Sequence, residues 1–285
     1  MKNLKYIFNI LILSIFFGSC SSDDDEITAV ETNPVEDLNL LYEISAEGHT
    51  LQMYSEKEQL EVGYNEISIL IKDLETNQYV TNASPTWMPM MNMETMSHSA
   101  PHTLLNNSEE NSVYKAYIVF QMPNNDSERW ELKLDYTFKE QVLEKIIDLD
   151  VVSPIDGLKK TQVFTGSDET RYIMAYVNPK KFQVAQNEFE MVLYKMENMN
   201  TFPVVEDYKI TLDPRMPSMG NHSSPNNQDL TYNIATQKYE GVLSLTMTGY
   251  WKINLKLLNE NDEVLKGEEV TETQSESSLY MELEL

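Results

Sequence analysis

The chain has 285 residues and a formal net charge of -25, with 41% hydrophobic and 10% aromatic residues. This length predicts two domains of ordinary size, and this composition is typical of a folded protein rather than a disordered one. The acidic balance argues against nucleic acid and anionic membrane surfaces as binding partners, because both repel a polyanion.

Residues 1–19 are predicted to form a signal peptide. Two early lysines are basic, residues 6–17 form an apolar run, and the small pair Gly18-Ser19 is suited to cleavage before Cys20. The apolar run is shorter than the ~20 residues that a membrane-spanning helix needs. We therefore expect the segment to be removed and not to span a membrane.

The four residues Phe17-Gly18-Ser19-Cys20 resemble the lipobox of bacterial lipoproteins, although Phe17 stands where an aliphatic residue is usual. The resemblance implies that the Cys20 thiol takes up a diacylglycerol lipid, which holds the mature chain to a membrane. Cys20 is also the chain's only cysteine. The mature protein can therefore form no internal disulfide, and it has no free thiolate for catalysis or metal binding.

The acidic run Ser22-Asp23-Asp24-Asp25-Glu26 resembles the signal that sends lipoproteins of the Bacteroidetes to the outer face of the outer membrane. The alternative is a solvated acidic tether. Residues 20–39 contain Pro34 and several acidic side chains, and we expect them to form a flexible stalk. The sequence thus predicts a lipid-anchored outer-membrane protein, on either the periplasmic or the cell-surface face.

One unit of sequence occurs twice after the stalk. Asn65-Glu66 and Asn187-Glu188 each open a run in which polar and apolar residues alternate. In each copy a run that begins with Tyr then ends in Met, another alternating run begins at Trp130 or Trp251, and a final alternating run follows. Alternation is typical of a half-buried β-strand, and the shared order of landmarks indicates a tandem repeat.

We predict an all-β fold of two tandem immunoglobulin-like antiparallel β-sandwich domains, which cover residues 40–153 and 158–285. Each copy holds several short alternating strands separated by turn-rich segments such as Glu75-Thr76-Asn77, and no long helical period competes with them. The short polar stretch 153–157, which contains Pro and Gly, is the predicted domain boundary.

Each copy carries a segment rich in methionine and histidine before its Tyr strand. Both segments contain Met-Pro-x-Met followed by His-Ser-x-Pro, and five of the nine residues from Met88 to Met96 are methionine. The candidate metal ligands are Met88, Met90, Met91, Met93, Met96, His98, His102 and Met122 in the first copy, and Met216, Met219, His222 and Met247 in the second.

These residue types favour copper. Thioether sulfur is a soft, neutral donor that suits Cu(I), and imidazole binds copper in either oxidation state. Both donors stay competent in compartments where thiols are oxidised. Proline fixes its own backbone and biases the preceding residue towards extended structure, so we expect it to splay the methionine side chains from a loop.

Two other interpretations of the methionine-rich segments stay open. Methionine often fills gaps in a core, although the Ser, Asn, Pro and His between these methionines do not form an apolar face. An exposed methionine surface would instead contact a protein or peptide partner. Met122 and Met247, which end the Tyr strands, are candidates either for a further sulfur ligand or for the core.

The order of an Asn-Glu strand, a Met-Pro-x-Met segment with His, a Tyr strand ending in Met and a Trp strand resembles the YtkA-like domain, which is related to FixH. The match is clearest in Met216–His222 with Tyr239, Gly241 and Trp251. The resemblance implies a small extracytoplasmic sandwich, present twice, that is associated with copper handling or with assembly of copper-containing respiratory oxidases. The first copy departs from the pattern, since its Met-Pro-x-Met and its His are further apart than in the second.

The sequence contains no catalytic pattern: no His-Glu-x-x-His, no phosphate-binding glycine loop and no Gly-x-Ser-x-Gly. We therefore expect a non-enzymatic lipoprotein that binds copper, as Cu(I), and that buffers the metal or delivers it to a copper-containing oxidase. Its expected partners are the membrane, through the lipid on Cys20, and a copper donor or acceptor protein. The alternative is a cell-surface module whose methionine-rich segments contact a partner protein.

Overall fold

A computed structural model describes residues 35–107 and 112–285. The predicted signal peptide, the lipobox with Cys20 and the acidic run lie outside the described residues. Contacts group Pro34–Leu285 into one unit. Within the described ranges, no helix is long and apolar enough to cross a membrane.

Short strands make up almost all of the regular structure. In the first half of the unit they are β1 (Asn39–Ala46), β2 (His49–Ser55), β3 (Leu60–Glu61), β4 (Gly63–Asp73), β5 (Thr86–Asn92), β6 (Ser97–Ser99), β7 (Asn106–Asn107), β8 (Tyr114–Phe120), β9 (Arg129–Phe138), β10 (Gln141–Leu149) and β11 (Val151–Val152).

The second half also consists of short strands. Its strands are β12 (Thr161–Thr165), β13 (Arg171–Asn178), β14 (Gln186–Lys195), β15 (Lys209–Met216), β16 (His222–Ser223), β17 (Gln228–Asn233), β18 (Lys238–Ser244), β19 (Tyr250–Leu258), β20 (Val264–Lys266) and β21 (Tyr280–Glu284). One short 3-10 turn, Pro217–Met219, separates β15 from β16.

Antiparallel sheets dominate both halves. In the first half a five-stranded sheet has the order β1-β2-β4-β8-β7, a four-stranded sheet has the order β10-β9-β5-β6, and the short strands β3 and β11 pair in parallel. In the second half a ten-stranded sheet has the main order β12-β13-β14-β18-β17-β15-β19-β20. β17 pairs with both β18 and β15 and so joins the first strands of this sheet to the last ones.

Each half has its own hydrophobic core, built from the inward-facing residues of alternating strands. In β9, Trp130, Leu132 and Leu134 are fully buried while the residues between them are not. In the second half, Trp251 and Ile253 of β19 are likewise buried while the residue between them is not. A strand turns successive side chains to opposite faces, so one face of each sheet is buried. The all-β, antiparallel class predicted from alternation is confirmed.

The repeated asparagine makes the same hydrogen bonds in both halves. The buried side chain of Asn65 donates to the carbonyl oxygens of Glu61 and Gly63 and accepts from the N–H of Glu61. Asn187 makes the same bonds with Gln183 and Ala185. The repeated Asn therefore fastens the bend that leads into β4 or β14, by satisfying backbone groups that the ladder leaves unpaired.

The halves contact each other through aromatic and aliphatic side chains. Tyr64 and Val119 of the first half belong to one buried cluster with Ile173, Val192 and Tyr194 of the second. The hydroxyl groups of Tyr117 and Tyr194 are also hydrogen-bonded to each other, at 2.5 Å. The boundaries predicted for two separate domains, 40–153 and 158–285, stay a prediction.

The end of the predicted stalk is packed. Val35 is 3% exposed and lies against Leu70 and Val113, and the backbone N–H of Leu38 donates to its carbonyl oxygen at 3.1 Å. A stalk over 20–39 therefore does not extend past Val35 as an unpacked segment.

Candidate functional site

The first methionine segment lies partly on a strand and not in a loop. Along β5 the side chains of Trp87, Pro89 and Met91 are buried, whereas those of Met88 and Met90 are not. Strands accept proline near an edge, and β6 covers the second side of β5 only from Met90 onward. The expectation that proline splays these methionines from a loop is wrong here, and Met91, 0% exposed, is a core side chain.

In the second half Met216 is also a core side chain. It ends β15 and is 3% exposed. A Cβ atom at Gly249 would lie 3.1 Å from the Met216 methyl group, and the φ of 119° at this position also favours glycine. Met219, in the 3-10 turn, is 58% exposed, and His222 is exposed as well.

The strand register aligns the two segments differently from the sequence. Met91 lies opposite His98, and Met216 lies opposite His222. Pro89 correspondingly faces Leu132 of β9, and Pro214 faces Ile253 of β19. The shared Met-Pro-x-Met had predicted that Met216 corresponds to Met88. The strand register shows that Met216 corresponds to Met91 instead.

Met122 and Met247 are equivalent in structure, as the repeat predicts. The indole N–H of Trp130 donates to the carbonyl oxygen of Met122 at 2.9 Å, and that of Trp251 donates to Met247 at 3.0 Å. Both methionine side chains are half-buried and pack against the core of their own half.

In the first half this end of the sandwich forms one wall of a cavity, and the second half forms the other wall. The cavity has a volume of about 510 Å³, and we call it the methionine cavity. Its described lining comprises Met93, Met96, His98, Gln121 and Met122 from the first half, and Val163, Arg171, Ile173, Met196, Met199 and Phe202 from the second.

Backbone hydrogen bonds position the thioether groups around this cavity. The N–H of Met93 donates to the carbonyl oxygen of Met96 at 3.0 Å, which closes the turn between β5 and β6. The N–H of Ser99 donates across to the carbonyl oxygen of Met199 at 2.7 Å, and the N–H of Met196 donates to Arg171 at 2.8 Å. Methionines from the two halves are thereby brought to one place.

One ring nitrogen of His98 is available to bind a metal through its lone pair. Its Nδ1 lies 2.8 Å from the carbonyl oxygen of Ser99. A carbonyl oxygen can only accept, so Nδ1 carries a proton, and in the neutral ring Nε2 then keeps its lone pair. The ring also packs edge-on against Trp130, at 5.5 Å between centroids. A fixed tautomer with an unprotonated second nitrogen is the form in which histidine binds a metal.

Two polar side chains of the lining lack partners. Gln121 Oε1 is buried without a hydrogen bond. Arg171 forms no salt bridge with any carboxylate in the part of the chain that the structure describes. Arg171 is also the one formally charged side chain among the described lining residues.

His102 lies outside the methionine cavity, beside the tyrosines at the contact between the halves. Its Nδ1 lies 2.7 Å from the carbonyl oxygen of Ala100, so it donates there as His98 does to Ser99. Burial lowers the pKa of His102 below its usual value of 6.5, against the smaller opposing effect of the bond to Ala100.

The structure brings together four of the predicted ligands, Met93, Met96, His98 and Met122. The other predicted ligands are not part of the described cavity lining: Met88, Met90, Met91, His102, Met216, Met219, His222 and Met247.

The cavity adds Met196 and Met199, which the sequence reasoning did not select. A signal for them exists, because Met196-Glu197-Asn198-Met199 shares the pattern Met-Glu-x-Met with Met93-Glu94-Thr95-Met96.

The usual metal sites of proteins consist of histidine, cysteine and carboxylate ligands. Within residues 35–107 and 112–285, no group of three or more His, Cys, Asp or Glu side chains is placed to hold a metal ion.

No protein-family model matches the chain, and no curated protein matches it. Among solved structures, it is similar to the Escherichia coli adhesin FdeC, with 12% identity over 79% of this chain and 64% of that one, at a TM-score of 0.25. A DUF4785 family protein from Legionella pneumophila has 10% identity over 76% of this chain and 55% of that one, at a TM-score of 0.26. Neither likeness is close enough to indicate a function. The YtkA-like resemblance stays a prediction.

Proposed function

We propose that this chain is a non-enzymatic, extracytoplasmic lipoprotein that binds copper as Cu(I) in the methionine cavity. The observation that carries the proposal is that five methionines from both halves line one cavity together with His98. Thioether and neutral imidazole are soft or borderline donors, and this combination selects Cu(I) over hard cations such as Mg²⁺ or Ca²⁺.

The exposure of the methionines supports ligand binding over packing. Met96 and Met199 are 49% and 44% exposed, although each lines the cavity. A methionine that only fills a core gap is covered on all sides, as Met91 and Met216 are. Thioethers at a cavity that solvent reaches are accessible to a metal ion.

The predicted lipid anchor indicates where the protein would bind copper. Lipid on Cys20 would hold the chain at the outer membrane, where copper arrives before it enters the cell. There the protein would buffer the metal or pass it to an acceptor, such as a copper-containing oxidase. The acidic surface favours approach of a cation and disfavours nucleic acid.

Competitive titration of Cu(I) under anaerobic conditions, with the full-length protein and a colorimetric chelator, tests the site. The double variant Met96→Ala/Met199→Ala should lose affinity by about tenfold or more, equivalent to about 1.4 kcal/mol. The matched control is Met219→Ala/His222→Ala. All four of these side chains are exposed, so neither double variant should disturb folding.

The control is expected to bind like the parent. Equal affinity in the parent and the Met96/Met199 variant would contradict the proposal, and a loss confined to the control would move the site to the second half.

A second candidate function rests on the exposed end of the second half. Met219 is 58% exposed there, and His222 is exposed as well. An exposed methionine side chain suits contact with a partner protein, because it is apolar and adapts its shape. A protein that binds no Cu(I) in the titration above would favour this interaction role.

A further inference from the structure

The charges around the methionine cavity do not balance when a metal ion is bound. Thioether and neutral imidazole ligands carry no charge, so Cu(I) would keep its single positive charge. The described lining contains no carboxylate, and its one charged group, Arg171, is itself a cation. Arg171 is exposed, so water screens its charge, and its unpaired guanidinium is available to hold an anion beside the metal.

Two carboxylates, those of Glu94 and Glu197, lie next to cavity methionines in the chain. Glu197 pairs with Lys195 at 3.8 Å on the surface. Neither carboxylate belongs to the described lining. An anion supplied by the solution could contact both Cu(I) and Arg171 inside the cavity.

The cavity has room for such an anion. A water molecule occupies roughly 30 Å³ of liquid, and a metal ion is no larger, so an ion alone would leave most of the 510 Å³ empty. Cavities of this size hold small molecules, which a few well-placed polar groups orient. Gln121 Oε1, buried without a partner, is an acceptor that a ligand N–H or O–H would satisfy.

We propose that the cavity binds Cu(I) together with one small soft anion, a thiolate or a halide, which Arg171 holds by charge. This inference rests on the proposed function. The free acceptor on Gln121 favours a thiolate that also carries an N–H donor, such as the anion of cysteine, over a bare halide. When a thiol is the source, its sulfur binds copper and its proton passes to solvent, so no electron transfer is involved.

Native mass spectrometry of the full-length protein loaded with Cu(I) tests the proposal. Loading is carried out in parallel with cysteine, with 2-aminoethanethiol, which lacks the carboxylate, and with bromide. The expected product is protein plus one copper plus one anion, with thiolates retained better than bromide. A stronger signal for cysteine than for 2-aminoethanethiol would assign its carboxylate to Arg171.

Two variants of Arg171 separate charge from structure. Arg171→Gln should bind copper but lose the anion by about tenfold or more, because a neutral side chain replaces the charged hydrogen-bond donor. Arg171→Lys keeps the charge and should retain the anion in part. Copper without any anion in the parent, or equal anion retention in the parent and Arg171→Gln, would overturn the inference and leave the proposed function standing. A parent that binds no copper would overturn both.

Discussion

The backbone N–H of Ser99 donates a hydrogen bond to the carbonyl oxygen of Met199, at a distance of 2.7 Å. The bond joins β6, which carries His98, to the turn of the second half that carries two methionines of the cavity. The two sets of candidate ligands therefore keep their spacing only while the halves stay in contact. Metal binding and the contact between the halves should be linked.

The Tyr117–Tyr194 hydrogen bond is the clearest place to test that contact. Phenylalanine at either position keeps the ring and removes the hydroxyl. We expect each single variant to lose about 1 kcal/mol of unfolding free energy in urea, because the remaining hydroxyl is left without its partner. The double variant should lose less than the sum of the two single losses. Strict additivity would show that the 2.5 Å contact is not a coupled pair.

Removal of the repeated asparagine should weaken either half. Asn65→Ala and Asn187→Ala each leave buried backbone groups unsatisfied, which costs about 1–3 kcal/mol. Asn82→Ala, at an exposed position, is the matched control and should stay within about 0.5 kcal/mol of the parent. Chemical denaturation measures all three. A loss as small as the control's would mean that the bend into β4 or β14 does not depend on the side chain.

His98 should contribute to copper affinity as the nitrogen donor of the methionine cavity. His98→Phe keeps an aromatic ring beside Trp130 but removes Nε2. We expect its affinity for Cu(I) to fall by about tenfold, or about 1.4 kcal/mol, in the competitive titration. An affinity equal to that of the parent would exclude His98 as a ligand.

His102 should make folding depend on pH. Its pKa is lowered in the folded protein from the usual 6.5, so the unfolded chain takes up the proton first as the pH falls. Its favourable contribution is complete above pH 6.5 and is lost as the pH falls through the lower, folded-state pKa. His102→Asn keeps an N–H donor for Ala100 but does not titrate.

The comparison of melting temperatures tests this sign. Between about pH 7.5 and pH 5, the parent should lose more thermal stability than His102→Asn, because only the parent takes up this proton on unfolding. A variant that loses as much stability as the parent would show that His102 does not contribute to the pH dependence.

The sequence predicted the strands well because their signal is local. Alternation around Trp130 and Trp251 follows from the two-residue period of a strand and needs no knowledge of distant contacts. The repeat of Asn65 in Asn187 was visible for the same reason, although their hydrogen bonds were not.

The site was predicted only in part, because it depends on register and on long-range contact. A shared Met-Pro-x-Met suggested that Met88 matches Met216, but pairing of Met216 with His222 shows that Met91 is the equivalent residue. Met196 and Met199 lie about a hundred residues from Met93 in the chain. Only packing of one half on the other brings them together.

Methionine methyl groups report directly on whether copper occupies this cavity. The protein, labelled with ¹³C at the methionine methyl positions, can be titrated with Cu(I) under anaerobic conditions while two-dimensional NMR spectra are recorded. We expect the largest shifts at Met93, Met96, Met122, Met196 and Met199, and small ones at Met88 and Met219, which lie outside the lining. Shifts confined to Met216, Met219 and Met247, or no specific shifts at all, would contradict a copper site shared by the two halves.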